Sequence, residues 1–517
     1  MPVTPVKPVT PTVRVRYAPS PTGSVHVGNA HTALFNYLFS RRHGGRLVYR
    51  LEDTDKSREV AGAAETQMAQ LRLLGIDWDE GPDVGGPYGP YRQSERADRY
   101  QEALAQVEAA GRAYRCYCSA ERLAAMRAEQ AARGRPPRYD GHCRGLSAAE
   151  RAAHGGEPHV LRLAVPATGD TVVADEIRGE VRFQHSELDD FVIRKSDGTP
   201  LYNFGVVVDD HEMAITHVIR GDEHLANTPK QLLLYDALGW APPRFAHIPM
   251  LLAADRSKLS KRHGATALVE FLDEGILPEA LVNYLGLLGF SPPDGREMLE
   301  LDELARVFDL ARVQRSAAVY DPKKLQWLNT RYLKAWPAAD VAQRVRPVLA
   351  ARGLDPDAPS DAAPAVAFVD AVETVRERAH TLRELAEGLS FLYAPVTAYD
   401  PAGVQKQFGP EAPERLRALA GSLEGLPDWS HDALEAHYSE LAAQWGVGRG
   451  ALIHPTRLAV TGTTVGPSLF WCLAALGPDL VLPRLRAAAD WIEREQPAEA
   501  ARAKAGGAAD AGQQAPT

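Results

Sequence analysis

The stretch from Val13 to Phe39 limits what this chain can fold into more than any other. Apolar residues alternate with arginines between Val13 and Tyr17, which is the period-2 pattern of a strand. The prolines and glycine of residues 18–23 exclude regular structure and impose a rigid turn. Apolar side chains then recur at helical spacing from Ala30 to Phe39. Because free backbone N–H groups and the positive end of a helix dipole meet at such a turn, it predicts a phosphate site in an α/β fold.

The turn carries side chains suited to phosphate chemistry. Gly28 lets a ligand approach the backbone closely, and His26 can donate a hydrogen bond to a phosphate that gains charge in a transition state. Asn29 can donate another hydrogen bond. The alternative is an ordinary βα turn whose histidine only caps the helix.

Composition limits the class of protein. A chain of 517 residues with 45% hydrophobic and 24% charged residues is typical of a globular protein with several domains. Its net charge of −9 means that a polyanionic partner must be bound by local basic surfaces. No apolar run is long enough to span a membrane, and Met1–Thr12 lacks the pattern of a signal peptide. With only four cysteines, we expect a cytoplasmic protein without a disulfide framework.

A second strand, Arg46–Leu51, leads into the acidic run that begins at Glu52, and a helix is predicted over about residues 57–74. Acidic residues at the C-terminal end of a parallel strand lie where open α/β sheets bind ligands. Glu52 is therefore a candidate to hold a substrate ammonium group. The alternative is a solvated loop carboxylate.

Strand patterns return after Pro158. The run Tyr202–Val208 is predicted to be a buried strand and Ile215–Arg220 another, and a helix is predicted from Asn227 to Leu238. Beyond Gly264 the patterns are almost all helical. The fold class is therefore α/β, with a split doubly wound (Rossmann-like) parallel sheet, an inserted α+β subdomain and an all-α C-terminal half.

The predicted insertion has an unusual charge. Residues 112–151 contain nine arginines against four acidic residues, in a chain that is acidic overall. A basic segment of this kind favours a nucleic-acid contact, and a solvated helix face is the alternative. Cys116, Cys118 and Cys143 lie in it, with Tyr139 and His142 close by in sequence.

A second phosphate-binding segment follows about 230 residues after His26. Lys258 and Lys261 lie three residues apart, with Ser260 between them, on a loop flanked by serine and glycine. Both lysines can reach one triphosphate, and a mobile loop can close over it and stabilise charge on departing pyrophosphate. A merely solvated basic loop is the alternative.

Several strings together resemble those of bacterial glutamyl-tRNA synthetases, a family of class I aminoacyl-tRNA synthetases. The resemblance extends from about Arg14 to about Arg486. The strings that carry it are Arg-x-Ala-Pro-Ser-Pro-Thr-Gly, Arg50-x-Glu52-Asp-Thr-Asp55, Glu80-Gly-Pro-Asp-Val-Gly-Gly, Tyr91-Arg-Gln-Ser-Glu-Arg96, Val208-Asp-Asp-His211, Arg220-Gly-Asp-Glu-His224-Leu, Asn-Thr-Pro-Lys-Gln231 and Lys258-Leu-Ser-Lys-Arg262.

The resemblance implies an enzyme that activates L-glutamate with ATP and Mg²⁺ and transfers it to the 3′ end of tRNA-Glu. It implies ATP binding by the two phosphate-binding segments: His26, Gly28, Asn29, Lys258, Ser260 and Lys261. Arg16, Tyr202 and Arg220 match the residues that hold the substrate carboxylates. Glu52 matches the residue that takes the α-amino group, and Ser20 is also at a pocket position. We expect no membrane partner and a monomer.

The family resemblance also suggests a zinc site. Some relatives carry Cys-x-Cys with a third cysteine 25 residues further on, as Cys143 follows Cys118. Some add a histidine two residues beyond it, where this chain has Gly145. The fourth ligand of a structural Zn²⁺ could instead be Tyr139, His142 or water.

The resemblance divides the chain into segments of expected role. These are a flexible N-terminal extension (1–12), the first half of the catalytic domain (13–111), an inserted subdomain that binds the tRNA acceptor end (112–190), the second half of the catalytic domain (191–264), a helical stem-contact domain (265–335), a helical anticodon-binding domain (336–495) and a disordered tail (496–517).

Relatives restricted to tRNA-Glu carry an arginine in the anticodon-binding half, before a Thr-Leu pair. Alignment on Thr381-Leu382 places Arg378 there, with Arg376 as the fallback, so we expect discrimination against tRNA-Gln. The alternatives are an enzyme that also charges tRNA-Gln, a tRNA-modifying paralogue, a non-catalytic RNA-binding protein and a nucleotidyltransferase of the same superfamily.

Overall fold

The computed structural model describes residues 12–55, 59–257, 259, 262, 265–357 and 364–510, with side chains up to residue 495. The chain divides into two compact units. The first consists of Met1–Leu272 with Pro278–Leu325, and the second of Asp273–Leu277 with Gln326–Thr517. The predicted N-terminal extension up to residue 11 and the end of the predicted tail, residues 511–517, lie outside the described residues.

The first unit contains most of the strands. Its elements are β1 (Arg14–Tyr17), α1 (Val27–Arg42), β2 (Arg46–Tyr49), α2 (Ala63–Leu73), α3 (Ala97–Ala109), β3 (Ala113–Cys116), α4 (Ala120–Ala132), α5 (Ala148–Ala153), β4 (Val160–Leu163), β5 (Asp170–Asp175), β6 (Gly179–Gln184), β7 (Val192–Arg194), α6 (Tyr202–Glu212), β8 (His217–Gly221), α7 (Thr228–Leu238), β9 (Arg244–Ile248), β10 (Leu251–Leu252), α8 (Leu268–Asp273), α9 (Pro278–Leu287), α10 (Leu301–Val307), β11 (Ala318–Val319) and the start of α11 (Pro322–Ala335).

Two parallel strand pairs form the centre of this unit. β1 pairs with β2, and β8 pairs with β9, each in parallel. Thr216 joins the pairs, because its backbone N–H donates to the Arg14 carbonyl at 2.9 Å and its Oγ1 accepts from the Arg14 N–H at 2.8 Å. All four residues of β1 are buried, as expected of a strand covered on both faces. The predicted α/β class with a parallel sheet is confirmed.

The insertion between α3 and α6 has its own sheet. β3, β4 and β7 form a three-stranded antiparallel sheet, with α4 and α5 between β3 and β4 in sequence. β5 and β6 form an antiparallel hairpin whose Asp175 end pairs with Phe245 of β9. The predicted α+β insertion is therefore present, and its hairpin extends the central sheet.

One predicted element is wrong. The run from Tyr202 to Val208 is the start of helix α6, not a strand. Seven consecutive residues, from Phe204 to Asp210, are buried, so the helix is covered on all sides and shows no amphipathic period. A short apolar run rich in β-branched residues cannot be assigned by period alone, and tertiary burial decided its conformation.

The second unit is helical throughout its described part. Its helices after α11 are α12 (Ala338–Ala350), α13 (Phe368–Val375), α14 (Leu382–Tyr393), α15 (Pro401–Gln407), α16 (Ala412–Leu423), α17 (His431–Gln444), α18 (Gly450–Thr461), α19 (Leu469–Leu476) and α20 (Pro478–Asp510).

α12 packs on α13 and α14, while α16 and α18 pack on α20. Helix α20 continues past residue 496, where the sequence predicts a disordered tail, through a segment in which seven of fifteen residues are alanine, the strongest helix former. Among the described residues, no helix combines the length and apolarity that a bilayer crossing needs.

Candidate active site

The turn between β1 and α1 fixes the tautomer of its histidine. His26 is the N-cap of α1, and its Nδ1 accepts from the Gly28 backbone N–H at 3.2 Å. Because Nδ1 uses its lone pair in this bond, the proton of the neutral ring lies on Nε2. The capping alternative and the phosphate-donor prediction are thus compatible, since the cap leaves Nε2 as the donor.

The same turn is tied to the chain that follows the lysine loop. The Val27 N–H donates to the Thr266 carbonyl at 2.8 Å, and the Leu268 N–H donates to the Val25 carbonyl at 2.9 Å. Lys258, Ser260 and Lys261 lie outside the described residues. These bonds show that the turn and the chain that follows the lysine loop, at residues 266–268, converge.

A cavity of about 320 Å³ opens where they converge, at the C-terminal ends of β8 and β9 and the N-terminus of α1. This is the edge at which open α/β sheets bind ligands. Its walls are formed by His26, Gly28, Asn29, His31, Thr32, Gly221, Glu223, Ile248, Pro249, Met250, Leu251 and Leu259. A Cβ built on Gly28 would contact only the His26 Nδ1, at 3.6 Å, so the protein itself tolerates a methyl group there.

A buried cluster of charges lies at the end of β1. Arg16 Nε donates to Asp210 Oδ1 at 3.2 Å. The fully buried Arg50 donates to the same carboxylate oxygen at 2.6 Å and to Glu52 Oε1 at 3.1 Å. Burial opposes ionisation of Asp210, but Arg16 and Arg50 outweigh it and lower the pKa of that carboxyl group. Burial raises the pKa of Glu52, although Arg50 and Arg16 oppose the shift.

Arg220, at the end of β8, is buried among neutral partners. Its Nε donates to His247 Nε2 at 3.1 Å, and its Nη2 donates to Thr228 Oγ1 at 2.8 Å and Gln231 Oε1 at 2.9 Å. Its Nη1 is buried and has no hydrogen-bond partner among the described residues. Burial lowers the pKa of Arg220, as expected of a buried cation without a directly paired carboxylate.

The remaining predicted pocket residues lie beside this cluster. Tyr202 is the first residue of α6, and burial together with the negative charge of Glu52 raises the pKa of its phenol. Its ring lies 6.1 Å from the His224 ring, measured between centroids. Ser20 is exposed in the turn after β1, next to Pro19, whose carbonyl accepts from the Glu52 N–H at 2.9 Å. Arg16, Glu52, Tyr202 and Arg220 influence one another electrostatically, so the structure brings these four together.

Sequence reasoning missed the residues that hold the arginines. Arg50 and Asp210 were not assigned a role, although both lie in strings that carry the family resemblance. His247 and Gln231 contact Arg220 from β9 and α7. An acidic pair directly after the apolar run of α6 is the one signal that could have indicated Asp210.

The three predicted metal-binding cysteines converge. The Sγ atoms of Cys116, Cys118 and Cys143 lie within 4.8 Å of one another. Tyr139 faces them, with its Oη 3.4 Å from the Cys116 Sγ and 3.6 Å from the Cys118 Sγ. Among the described residues, His142 does not belong to this group.

The two candidate anticodon arginines have different surroundings. Arg376 is buried, donates to the Leu333 carbonyl at 3.1 Å and pairs with Glu373 at 2.5 Å. Arg378 is exposed, and its guanidinium donates to the Gly466 carbonyl. Only Arg378 therefore presents its side chain at the surface.

A parallel sheet, a phosphate-binding turn and a charged pocket at one sheet edge are the arrangement of a class I aminoacyl-tRNA synthetase. Residues 12–327 match the family model "tRNA synthetases class I (E and Q), catalytic domain", and residues 340–489 match "Anticodon binding domain".

The similarity to individual proteins covers nearly the whole chain. It is 48% identical to a glutamate–tRNA ligase of Moorella thermoacetica, over 93% of this chain and 98% of that protein. It is 50% identical to the enzyme of that name from Desulforudis audaxviator, over 93% and 97%. A crystal structure of a glutamate tRNA ligase from Elizabethkingia meningosepticum in complex with its amino acid superposes with a TM-score of 0.82 at 33% identity, over 93% and 99%. The chain belongs to the glutamate–tRNA ligase family.

Proposed function

We propose that this chain joins L-glutamate to ATP as glutamyl-adenylate and transfers the glutamyl group to the 3′ end of tRNA-Glu, rejecting tRNA-Gln. The observation that carries the substrate assignment is the charge of the buried pocket. Arg16, Arg50 and Arg220 outnumber Glu52 and Asp210 by one positive charge. Glutamate, with two carboxylates and one ammonium group, supplies the missing negative charge.

The first reaction step uses the cavity beside this pocket. The α-carboxylate of glutamate attacks the α-phosphorus of ATP, a new P–O bond forms, and the bond to the β-phosphate breaks to release pyrophosphate. The Nε2–H of His26 and the N-terminus of α1 stabilise the charge that develops on phosphate oxygens. Lys258 and Lys261 stabilise the departing pyrophosphate with its Mg²⁺, and Asn29 and Gly28 border the nucleotide.

Each pocket residue has a role in holding glutamate. Arg16, Arg220 and Tyr202 bind its carboxylates, and Glu52 binds its ammonium group with Ser20 at the pocket entrance. Glutamine is rejected because a neutral amide can accept a hydrogen bond from the buried Nη1 of Arg220 but cannot neutralise its charge, and a buried charge without a counter-ion is costly.

The insertion, residues 112–190, binds the acceptor end of the tRNA in this proposal. Five of its nine arginines before residue 152 are held in ion pairs: Arg112, Arg115, Arg122, Arg133 and Arg144. Arg127 and Arg135 are exposed and make no ion pair within the described part of the chain. These two are the cations best placed to meet phosphates. Residues 265–335 then contact the stem and residues 336–495 the anticodon.

Zinc binding is a separate part of the proposal. Three thiol groups that converge to within 4.8 Å fit one tetrahedral Zn²⁺. Cys116, Cys118 and Cys143 would hold the ion, with Tyr139 or water as fourth ligand. All four cysteines of the chain lack disulfide bonds, which supports a reducing cytoplasm as the site of action.

Metal analysis of protein purified without chelator tests the zinc assignment. We expect about one zinc per chain, lost in Cys143→Ser. Tyr139→Phe separates the possible fourth ligands, because it keeps the metal if water completes the site and weakens binding if the phenol does. Metal-free wild-type protein would overturn the assignment.

Discrimination between tRNAs is assigned to Arg378. A long exposed cation can donate to the acceptor groups of one anticodon base and fails to pair with another. We expect the wild type to charge tRNA-Glu and not tRNA-Gln, and Arg378→Gln to charge both. Arg376→Gln is the matched control, since that side chain is buried and its loss should lower stability without altering the choice of tRNA. Efficient charging of tRNA-Gln by the wild type would refute discrimination.

One assay tests the central reaction. ATP–pyrophosphate exchange is measured with glutamate and with glutamine, each with and without tRNA. Exchange that depends on glutamate supports the proposal, and transfer of glutamate to a modified base or to no RNA would favour one of the alternative functions.

A further inference from the structure

Arg220 is oriented by a buried chain of groups that begins on another strand. Its three close acceptors, on His247, Thr228 and Gln231, are all neutral. A carboxylate in any of these places would pair directly with the guanidinium and neutralise it. The arrangement therefore holds the cation in place without supplying its counter-ion.

Behind His247 lies a carboxylate. His247 is fully buried, and its Nδ1 lies 2.6 Å from Asp175 Oδ2. Asp175 also accepts from the backbone N–H groups of Ile177, Arg178 and His247, at 3.0, 2.7 and 3.0 Å. Burial opposes ionisation of Asp175, but the hydrogen bond from His247 and those from the backbone outweigh it and lower the pKa of the carboxyl group.

The ionised carboxylate determines which nitrogen of His247 carries the proton. An anion can only accept, so Nδ1 donates to Asp175. Burial is the main cause that lowers the pKa of His247, so the ring stays neutral and Nε2 keeps a lone pair. That lone pair faces Arg220 Nε at 3.1 Å, and the Thr228 hydroxyl, itself an acceptor for Arg220, lies beside it at 3.1 Å from Nε2.

We propose that Asp175 and His247 are positioning residues for glutamate, because Asp175 holds His247 in the tautomer that orients Arg220 toward the substrate carboxylate. Asp175 lies on β5 and His247 on β9. Neither side chain is among those that line the nucleotide cavity. The negative charge of Asp175 is separated from Arg220 by the imidazole ring of His247. It aligns the guanidinium and leaves its Nη1 for the substrate.

This inference rests on the proposed role of Arg220 in binding glutamate. Asp175→Asn is the sharpest variant because it is nearly isosteric. An asparagine amide can turn its NH₂ group toward Nδ1, which moves the ring proton to Nε2 and places two donors face to face. His247→Phe keeps a ring of similar size and removes both bonds. His247→Gln keeps an acceptor within reach of Arg220.

The assay is ATP–pyrophosphate exchange by the full-length protein with saturating tRNA, with glutamate and ATP varied in turn. We expect Asp175→Asn and His247→Phe to raise the KM for glutamate by about tenfold to a hundredfold, the effect of misaligning one hydrogen bond to a charged group. The KM for ATP should stay within about twofold, and His247→Gln should recover most of the glutamate affinity.

Two further variants separate the possible failures. His217→Gln is the matched control, because His217 is a buried histidine on β8 at the end of the strand away from Arg220. It should leave both KM values unchanged. If Arg220→Ala raises the glutamate KM while Asp175→Asn and His247→Phe do not, the positioning role is overturned and the pocket stands. If Arg220→Ala itself leaves glutamate kinetics unchanged, the proposed pocket fails and the positioning role with it. Equal increases in the KM for ATP, or an equal effect of His217→Gln, would show general damage and also overturn the inference.

Discussion

Arg220→Met should separate substrate binding from stability. Methionine preserves much of the length and the apolar stem of arginine but removes the charge and all donors. Arg220 has a buried Nη1 without a partner among the described residues, so in the free protein it is a cation short of one interaction. Arg50 also has a buried nitrogen, Nε, without a hydrogen-bond partner in the part of the chain that the structure describes, but it is the useful contrast because it contacts two carboxylates, Asp210 at 2.6 Å and Glu52 at 3.1 Å.

The expected magnitudes follow from these partners. Without Arg220, a substrate carboxylate enters a buried site with no counter-ion, which costs about 3 kcal/mol and lowers kcat/KM for glutamate about 150-fold. Without substrate, the Arg220→Met variant loses only the hydrogen bonds from Arg220 to neutral groups, and it no longer bears the cost of burying a charge. Its free energy of unfolding should change by no more than about 1 kcal/mol. Arg50→Met leaves Glu52 without its arginine partner and Asp210 with Arg16 alone, and should lower the free energy of unfolding by about 3–5 kcal/mol.

Two measurements on the same preparations test this reasoning. Pyrophosphate exchange with varied glutamate gives kcat/KM, and urea unfolding followed by circular dichroism gives stability. The KM for ATP should remain that of the wild type. If Arg220→Met kept glutamate kcat/KM within about fivefold of wild type, or lost as much stability as Arg50→Met, the reasoning about a missing counter-ion would be refuted.

Three other predictions concern separate features. Burial lowers the pKa of His31 to about 4 from its ordinary value near 6.5, so the unfolded chain binds the extra proton first and stability is lost as pH falls from about 6.5 to 4. Urea unfolding midpoints measured against pH should show this loss of stability. In His31→Gln the loss at pH 4 should be smaller than in the wild type, by as much as about 3 kcal/mol, and the same pH dependence in both proteins would contradict the prediction. The Gly28→Ala variant should fold normally, because the added methyl group enters only the cavity. Its KM for ATP in pyrophosphate exchange should rise at least about tenfold. An unchanged KM would place the nucleotide elsewhere. Replacing Arg127 and Arg135 together by alanine should raise the KM for tRNA and flatten its salt dependence, whereas Arg182→Ala, which removes an ion-paired arginine of β6, should not.

Local patterns predicted the elements whose conformation depends on nearby sequence. The strand before the turn, the cap of α1 and the helix that begins near Asn227 each follow from prolines, capping residues and short periodicities. The run at Tyr202–Val208 was predicted wrongly because its conformation depends on burial from every side, which a short window does not contain. Sequence patterns therefore predict the elements whose conformation depends on neighbouring residues, and they fail where the conformation depends on residues distant in sequence.

The same limit applies to the pocket. The residues assigned to contact glutamate came from a family resemblance, and no short-range pattern points to their partners. Asp175 and His247 are 72 residues apart, and Arg16 and Asp210 are 194 residues apart. Asp175 meets His247 because β5 pairs with β9, and Arg16 on β1 meets Asp210 on helix α6. The sequence likewise does not show which of Arg376 and Arg378 is exposed, because a short 3₁₀ turn buries the first and exposes the second.

In the proposed glutamate pocket, selectivity follows from charge more than from shape. Arg16 and Arg50 balance the two carboxylates that they contact, Asp210 and Glu52, so Arg220 carries the one unbalanced charge. Asp209 has its closest ion pair with Arg96, at 2.6 Å, and lies 3.8 Å from Arg50 Nε, so it is not a direct partner of Arg220. Glutamate has almost the size of glutamine but carries the one negative charge that the pocket lacks. In this proposal Arg220, a buried cation held by neutral acceptors, distinguishes glutamate from glutamine by charge. No difference in size between these nearly isosteric substrates is needed.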